Sequence, residues 1–385
     1  AVMPVPWSRG RRTAVLALAL GGWSLALAPT VDLVRPAPSV LAAGLDQALQ
    51  GPLATAEVER ARNPEWTLMA DLFSVLAWSN AALADPAREA VLLEHMDSAI
   101  AATLQTEAEG GQFALLLPYA RRESFRDATG RSVFVDGELA LMLAARLSVA
   151  RDPELEDELR RRVGIIESAL ARSPTLSAES YPNECWTFCN TTALAALVLS
   201  DRIFGTDHGP LARAWVELAK RELLDPQTGL LISSYTYEGE VLDGPEGSSI
   251  FMVAHNRQLI DPAFAQDQYA RAAQQLSNCT LGFCTASEWP AGAPARVDVD
   301  SGGIVPGLDA SPGASGLALL GAAAFDDDEI RDGLLRSMEF AAVPTRDSNA
   351  IWYRAAGRIG NAVAAYALNF GPLWAQSQPQ ASEAV

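Results

Sequence analysis

Short acidic turns divide this chain into pairs of helical segments. Asp85-Pro86, Asp152-Pro153 and Asp261-Pro262 each separate an apolar segment of helical period from a more charged one. Asp caps helix N-termini and Pro is tolerated in a first turn, so each dipeptide predicts the start of a second helix. Hairpins are predicted over 66–106, 135–170, 188–223, 248–276 and 311–342, and the last helix, 361–374, is predicted to pair with 40–49.

The first helix of each pair is more apolar than the second. This difference is typical of an inner ring of buried helices surrounded by an outer ring of amphipathic ones. It favours an all-α fold, an (α/α)6 barrel, over the alternative of an open superhelix of helical pairs. Long loops usually carry function, so those leading into the inner helices are predicted to wall a cavity. They cover 107–134, 173–187, 224–247 and 277–310.

Composition narrows the classes of partner. The net charge of −18 over 385 residues argues against nucleic acid, which needs basic patches. The sequence contains no glycine-rich phosphate loop, no Gly-x-Ser-x-Gly elbow and no His-Glu-x-x-His motif. We therefore expect no cofactor and no catalytic metal, and a homo-oligomer is possible.

The N-terminal segment has the pattern of an export signal or a membrane anchor. Arg9, Arg11 and Arg12 precede an uncharged apolar run over 13–31. A run of this length also suffices to span a bilayer, and the preceding arginines favour a body outside the cytoplasm. Residues 1–35 are thus predicted to be a signal or anchor, with a single barrel domain over 36–385. The expected location is exported, periplasmic or membrane-anchored, with membrane contact only through this segment.

The four cysteines form two close pairs, Cys185/Cys189 and Cys279/Cys284. An even cysteine count in an exported protein suggests disulfides, and the Gly turn between Cys279 and Cys284 is compatible with a small closed loop. Zinc binding is the less favoured alternative, because neither spacing is that of a zinc ribbon. Calcium binding is a less favoured alternative to plain solvation for the acidic loop that contains Asp298, Asp300 and Asp309.

Two segments carry the residues best suited to chemistry. Asp136-Gly137-Glu138 begins an apolar helix, where Asp136 is also a natural helix cap and Glu138 a potential buried acid. The segment 180–190 crowds polar groups at the start of the next apolar helix, where a thiol pKa is often lowered; a Cys185–Cys189 disulfide with an Asn cap is the structural alternative. The predicted catalytic residues are Glu138, Cys189 and Asp136, and the predicted substrate-binding residues are Ser180, Tyr181, Asn183, Glu184, Trp186, Asn190, Tyr235, Tyr237 and Asp309.

Two motifs resemble those of the linalool dehydratase/isomerase family. One is Pro182 followed by an amide–acid pair, an aromatic residue, Cys189-Asn190 and an apolar helix; the other is the segment 134–142. The resemblance implies an (α/α)6 barrel and cofactor-free removal, addition or migration of a hydroxyl on an allylic terpene alcohol. A small apolar alcohol is therefore the expected substrate.

The chain departs from the family pattern at two positions. The second family cysteine falls on Ser180 and the family histidine falls on Glu138, which implies Glu138 as the proton carrier. Because a pair of thiols is lacking at these positions, the resemblance does not extend to linalool itself as the substrate. Glu65 and Asp71 are the candidates for the family's N-terminal Asp and Tyr.

Two other functions fit the same architecture. A glycoside hydrolase or sugar epimerase would need two facing carboxylates, Glu138 or Asp136 with Asp309, about 5–9.5 Å apart. Its cleft would be open and lined with Trp side chains. A non-catalytic exported module would instead have a filled centre, Glu138 paired with an Arg, and an oxidised Cys185–Cys189 pair.

Overall fold

A computed structural model describes residues 9–27, 37–50, 63–293, 304–305, 308–347 and 349–377. The acidic loop with Asp298 and Asp300, considered above for calcium, lies outside these residues. The helices are α1 (Arg9–Leu27), α2 (Pro38–Leu49), α3 (Pro64–Ala84), α4 (Glu89–Gly110), α5 (Val133–Val149), α6 (Pro153–Arg172), α7 (Thr187–Phe204), α8 (Gly209–Glu222), α9 (Gly247–Arg257), α10 (Pro262–Leu276), α11 (Pro312–Ala324), α12 (Asp328–Ala341), α13 (Gly357–Asn369) and α14 (Pro372–Ser377).

Six helices form a closed inner ring. In the order α3, α5, α7, α9, α11 and α13, each packs against the next, and α13 packs against α3. The contact between α13 and α3 closes the ring and excludes the open superhelix. Helices α4, α6, α8, α10 and α12 each pack behind the inner helix that precedes them, and α2 packs behind α13. The (α/α)6 barrel predicted from the hairpins is therefore confirmed.

Sequence pattern explains the two rings. In α5 every residue from Val133 to Leu147 is buried, whereas α6 buries one helical stripe. Each fully buried Leu or Val stabilises the fold by about 1.5–3 kcal/mol, so only the apolar helices gain from a position with neighbours on all sides. Asp152 and Asp261 cap α6 and α10 through their side chains, as the Asp-Pro turns predict.

One predicted helix is wrong in its extent. The sequence pattern predicts one continuous helix over 361–374, but α13 ends at Asn369 and α14 begins at Pro372. Gly371 has a φ of 138°, a conformation that non-glycine residues avoid, and Pro372 has no amide to continue the helix.

Short strands occupy the loops at the ring entrance. β1 (Cys185–Trp186), β2 (Ser234–Tyr235) and β3 (Val241–Asp243) form an antiparallel sheet in that order. β4 (Ser277–Thr280) pairs with β5 (Phe283–Ala286), and β6 (Pro344–Arg346) pairs with β7 (Ile351–Tyr353). The first sheet fixes the segment before α7 against the loop before α9.

The cysteines separate into one disulfide and two thiols. Cys279 and Cys284 are joined across the β4–β5 hairpin, as predicted. Cys185 and Cys189 are free and buried, so the alternative disulfide between them is not formed. The described part of the chain contains no cluster of His, Cys, Asp and Glu suited to a metal ion.

Among the described helices, α3 alone has the length and apolar character needed to cross a membrane. Its most apolar window is 83% buried within the barrel. This burial is expected of a core helix. Helix α1 contains a shorter apolar stretch, Thr13–Ser24.

Candidate active site

The inner helices begin at one end of the barrel, and α5 and α7 approach closely there. A Cβ atom on Gly137 would lie 3.1 Å from the Cβ of Ala193 in α7. A side chain here would require its neighbours to move by a few tenths of an ångström, because 3.1 Å is shorter than ordinary van der Waals contact. The close contact brings the second turn of α5 beside the second turn of α7, and Ala193 lies one helical turn after Cys189.

Glu138 is a fully buried carboxyl group without a hydrogen-bond partner. Its exposed fraction is 0%, and both side-chain oxygens lack partners among the described residues. Burial raises its pKa to about 8, because the interior disfavours the charged form. At neutral pH Glu138 is therefore mainly protonated, and it is a potential proton donor.

Cys189 is a neutral thiol within electrostatic reach of Glu138. Burial raises its pKa well above the usual value, and the charges of Glu138 and Glu65 raise it further, whereas a hydrogen bond with Ser180 lowers it. The prediction of a lowered thiol pKa at this helix start is therefore wrong, since desolvation outweighs the helix terminus. Ser180 lies beside the thiol, at the position implied by the resemblance.

Tyr181 and Glu65 lie within electrostatic reach of the same thiol, and Tyr119 packs against Tyr181. The ring centres of Tyr181 and Tyr119 are 4.8 Å apart. Burial raises the pKa of Tyr181 well above its usual value, with further contributions from Glu65, Tyr119 and Cys189. The Oε1 atom of Glu65 accepts a hydrogen bond from the Leu117 amide at 2.7 Å. Glu65 is thus near the thiol, while Tyr119 was missed because no motif marks the loop that carries it.

Asp71, the other candidate in α3, has a different environment. Its carboxylate forms a buried ion pair with Arg358 and accepts a hydrogen bond from Thr103 at 3.1 Å. These contacts join α3 to α13 and α4. Asp71 therefore holds helices together.

Asp136 is engaged in an ion-pair cluster, contrary to its predicted catalytic role. Its carboxylate pairs with Arg131 and accepts a hydrogen bond from Arg162 at 2.8 Å. Glu107 contacts the same two arginines. Residues two positions apart in an α-helix are separated by about 200° around the helix axis. Asp136 therefore faces the outer ring when Glu138 faces inwards. Asp136 is a structural anion.

Asn190 and Tyr235 hold the loop that precedes α7. The Asn190 side chain bonds both the N–H and the C=O of Ala178, at 2.8 and 3.0 Å. The hydroxyl of Tyr235 lies 2.6 Å from Ser177 Oγ, which also accepts from the Trp215 indole. These contacts use the predicted substrate-binding groups to shape the loop.

The remaining predicted residues lie further out. Glu184 accepts from the Trp186 indole at 3.3 Å, and Asn183 Oδ1 accepts from the Tyr237 amide. Asp309 is exposed and accepts from Ser287 Oγ at 3.2 Å. None of the hydrogen bonds among the described residues joins these five side chains to Glu138 or Cys189.

A cleft of about 630 Å³ lies at the opposite end of the barrel. It is lined by residues that include Asp201, Arg202, Arg213 and Leu259. Glu138 and Cys189 are not among its lining residues, so we do not assign the chemistry to it.

Comparisons with known proteins agree with this architecture. The α-1,6-mannanase GH76A of Salegentibacter sp. HEL1_6 aligns with a TM-score of 0.50 and 12% identity, over 79% of this chain and 88% of that one. An inactive variant of that enzyme in complex with α-1,6-mannotriose gives a TM-score of 0.50 and 11% identity, over 80% and 89%. At such low identity the likeness shows the fold alone.

The family relationship rests on sequence. The model of the linalool dehydratase/isomerase family matches residues 162–359, a segment that includes Ser180 and Cys189. The match covers more than half of the 385 residues. Glu138 precedes the matched segment and joins the site through the contact of α5 with α7. The chain therefore belongs to the linalool dehydratase/isomerase family.

Proposed function

We propose that this protein is a cofactor-free hydro-lyase or isomerase of an alkenyl or terpene-type alcohol. The observation that carries the proposal is the Glu138 carboxyl group: fully buried, without a hydrogen-bond partner, and within electrostatic reach of Cys189. A folded protein seldom retains such a group unless it contributes to function. Membership of the linalool dehydratase/isomerase family supports the same reaction class.

The protonation states suggest the order of events. Protonated Glu138 donates its proton to the leaving hydroxyl, the C–O bond breaks, and water departs with an allylic cation left behind. The Glu138 carboxylate formed in this step stabilises the cation and then takes a proton from the adjacent carbon. This second transfer forms the alkene and restores the acid. When water instead adds to the other end of the allylic cation, the Glu138 carboxylate takes a proton from that water, which gives the isomeric alcohol and restores the acid.

Cys189 has a supporting role in this scheme. Its raised pKa keeps the thiol neutral, so it is a poor base. We therefore assign both proton transfers to Glu138, and we assign contact with the substrate to Cys189, Ser180 and Tyr181. Elimination of water changes no overall oxidation state, so the reaction requires no redox cofactor.

The alternative functions receive less support. A carbohydrate-active enzyme would need Asp309 opposite Glu138 or Asp136, but Asp136 is paired with arginines and Asp309 is exposed. A non-catalytic module would have Glu138 in an ion pair and an oxidised Cys185–Cys189 pair. Among the described residues Glu138 has no ion pair, and both cysteines are free.

We further propose that the protein acts outside the cytoplasm. The Cys279–Cys284 disulfide is typical of oxidising compartments. Helix α1 exposes apolar side chains such as Leu16, Leu18 and Trp23, as a signal or anchor would. Cell fractionation of the full chain, compared with a chain lacking residues 1–35, tests this; retention of the full chain in the cytosol would contradict it.

The reaction is tested directly with purified protein. We expect incubation with a panel of terpene and short alkenyl alcohols to yield dehydrated or rearranged products, detected by gas chromatography and mass spectrometry. Glu138→Gln should lower the rate of product formation by about 10³, since an amide cannot donate the proton. Equal activity of Glu138→Gln and the wild type would refute the proposal.

A further inference from the structure

Glu179 is a buried carboxylate that the proposed chemistry does not use. Its exposed fraction is 1%. One oxygen accepts from the amides of Arg126 and Asn183, at 2.9 and 2.6 Å, and the other accepts from the Asp127 amide at 2.7 Å. Three backbone donors around one buried carboxylate form a strong and directional set of bonds.

The backbone around Glu179 makes a second connection between the same segments. The Val133 amide, the first of α5, donates to the Glu179 carbonyl at 2.8 Å. The Ser132 hydroxyl donates to the Ser180 carbonyl at 2.6 Å. The start of α5 is therefore bound to the turn that precedes α7 through both side chain and main chain.

This connection joins the two segments that lead into the helices carrying the reactive groups. Glu138 is in the second turn of α5, and Cys189 is in the first turn of α7. Ser180, which bonds the Cys189 thiol, directly follows Glu179. A change in the Glu179 bonds would therefore alter the Glu138–Cys189 separation and the Ser180 contact together.

We infer that Glu179 is a positioning residue, which sets the placement of the Glu138 carboxyl relative to the Cys189 thiol by binding the amides of Arg126, Asp127 and Asn183. The inference rests on the proposed function, because it assigns Glu179 to the same site. Glutamine has the shape of glutamate, but its NH₂ group cannot accept a hydrogen bond. Glu179→Gln thus breaks one side of the connection with little change in volume.

The test combines two readouts in Glu179→Gln. The first is the pH at which the carbonyl stretching band of protonated Glu138 disappears in infrared spectra, assigned by its absence in Glu138→Gln. The second is the pair kcat and KM for the alcohol that the wild type converts. We expect the titration midpoint of Glu138 to move by at least half a pH unit and kcat to fall at least tenfold, with KM changed less than threefold.

Glu288→Gln is the matched control. Glu288 is equally buried and accepts hydrogen bonds from Ser248 and Ser311, but it lies beside α9 and α11. Glu288→Gln should lower thermal stability about as much as Glu179→Gln does. It should leave the titration midpoint of Glu138 and kcat unchanged. Loss of stability in Glu179→Gln with an unchanged midpoint and kcat would overturn the inference.

The two readouts separate the inference from the proposed function. A shifted midpoint in a protein that converts no alcohol supports positioning and refutes the function. If the wild type and Glu179→Gln convert an alcohol with equal kcat and equal Glu138 midpoints, the positioning role is refuted and the proposed function stands. Should Glu179→Gln fail to fold, Glu179→Asp keeps the charge but withdraws it by about one bond length, and the same readouts decide.

Discussion

The two halves of the barrel entrance contain buried glutamates with opposite surroundings. Beside α9 and α11, Glu288 accepts from the Ser248 amide at 3.1 Å and from the Ser311 hydroxyl at 2.6 Å. Between α5 and α7, Glu138 is just as buried but has no partner among the described residues. Burial alone therefore does not distinguish the two roles. A partnered carboxylate joins helices, whereas an unpartnered one has an unused proton and a raised pKa.

The largest expected difference between the two glutamates is in activity. Glu138→Gln should lower kcat by about 10³, within the range of general acid–base catalysis, while Glu288→Gln should change it less than threefold.

Wild-type activity should fall as pH rises through about 8, because Glu138 then loses the proton that it donates. Initial rates from pH 5 to 10 measure this, and an activity that persists above pH 9 would contradict the assignment.

The same substitutions should change stability in opposite directions. The folded-state pKa of Glu138, about 8, lies above the ordinary value of 4.5, so the folded protein binds more protons and loses stability as pH rises between these values. Glu138→Gln should therefore be more stable than the wild type by about 3 kcal/mol at pH 7, with the difference reduced near pH 4. Glu288→Gln should be less stable by about 2 kcal/mol, because it weakens bonds to two serines.

Urea denaturation at both pH values measures these differences. Asp46, whose pKa burial raises to about 6, contributes its own pH dependence, so each variant is compared with the wild type at equal pH. A Glu138→Gln protein less stable than the wild type at pH 7 would show that Glu138 has a partner in solution.

Two glycines extend the comparison to helix packing. A Cβ at Gly247 would lie 2.3 Å from the Ser287 carbonyl oxygen, whereas one at Gly137 would lie 3.1 Å from the Ala193 side chain. Gly247→Ala should destabilise by about 3 kcal/mol and Gly137→Ala by about 1–2 kcal/mol, since backbone yields less than a methyl group. Of the two variants, only Gly137→Ala should also lower the activity per folded molecule. Unchanged activity per folded molecule in that variant would argue against a need for close α5–α7 contact.

The smallest effect on activity should come from the disulfide. Replacement of Cys279 and Cys284 by serine removes the disulfide and frees only a short loop. The free energy of unfolding should therefore fall by about 2 kcal/mol. Activity should remain at the wild-type level, since the β4–β5 hairpin carries no residue of the proposed site. Thermal unfolding and product assays check both expectations.

Local sequence rules predicted the barrel but only part of the candidate site. Asp-Pro turns and apolar periodicity located the hairpins because capping and amphipathic burial act over a few residues. The same rules also identified Glu138 and Cys189 as helix-start residues within two motifs. They did not predict that Arg162 would engage Asp136, that Glu65 would approach Cys189 or that Tyr119 would pack against Tyr181. Those contacts join distant segments, and helical periodicity does not specify such pairings.

The protonated, enclosed state of Cys189 has a consequence for life in an oxidising compartment. Peroxides and disulfides react with thiolates, and the raised pKa of Cys189 leaves almost none. Cys185 is also buried with a raised pKa, so the two sulfur atoms should survive where the hairpin pair oxidises. Under the proposed location outside the cytoplasm, both thiols would stay reduced without a reductant to restore them.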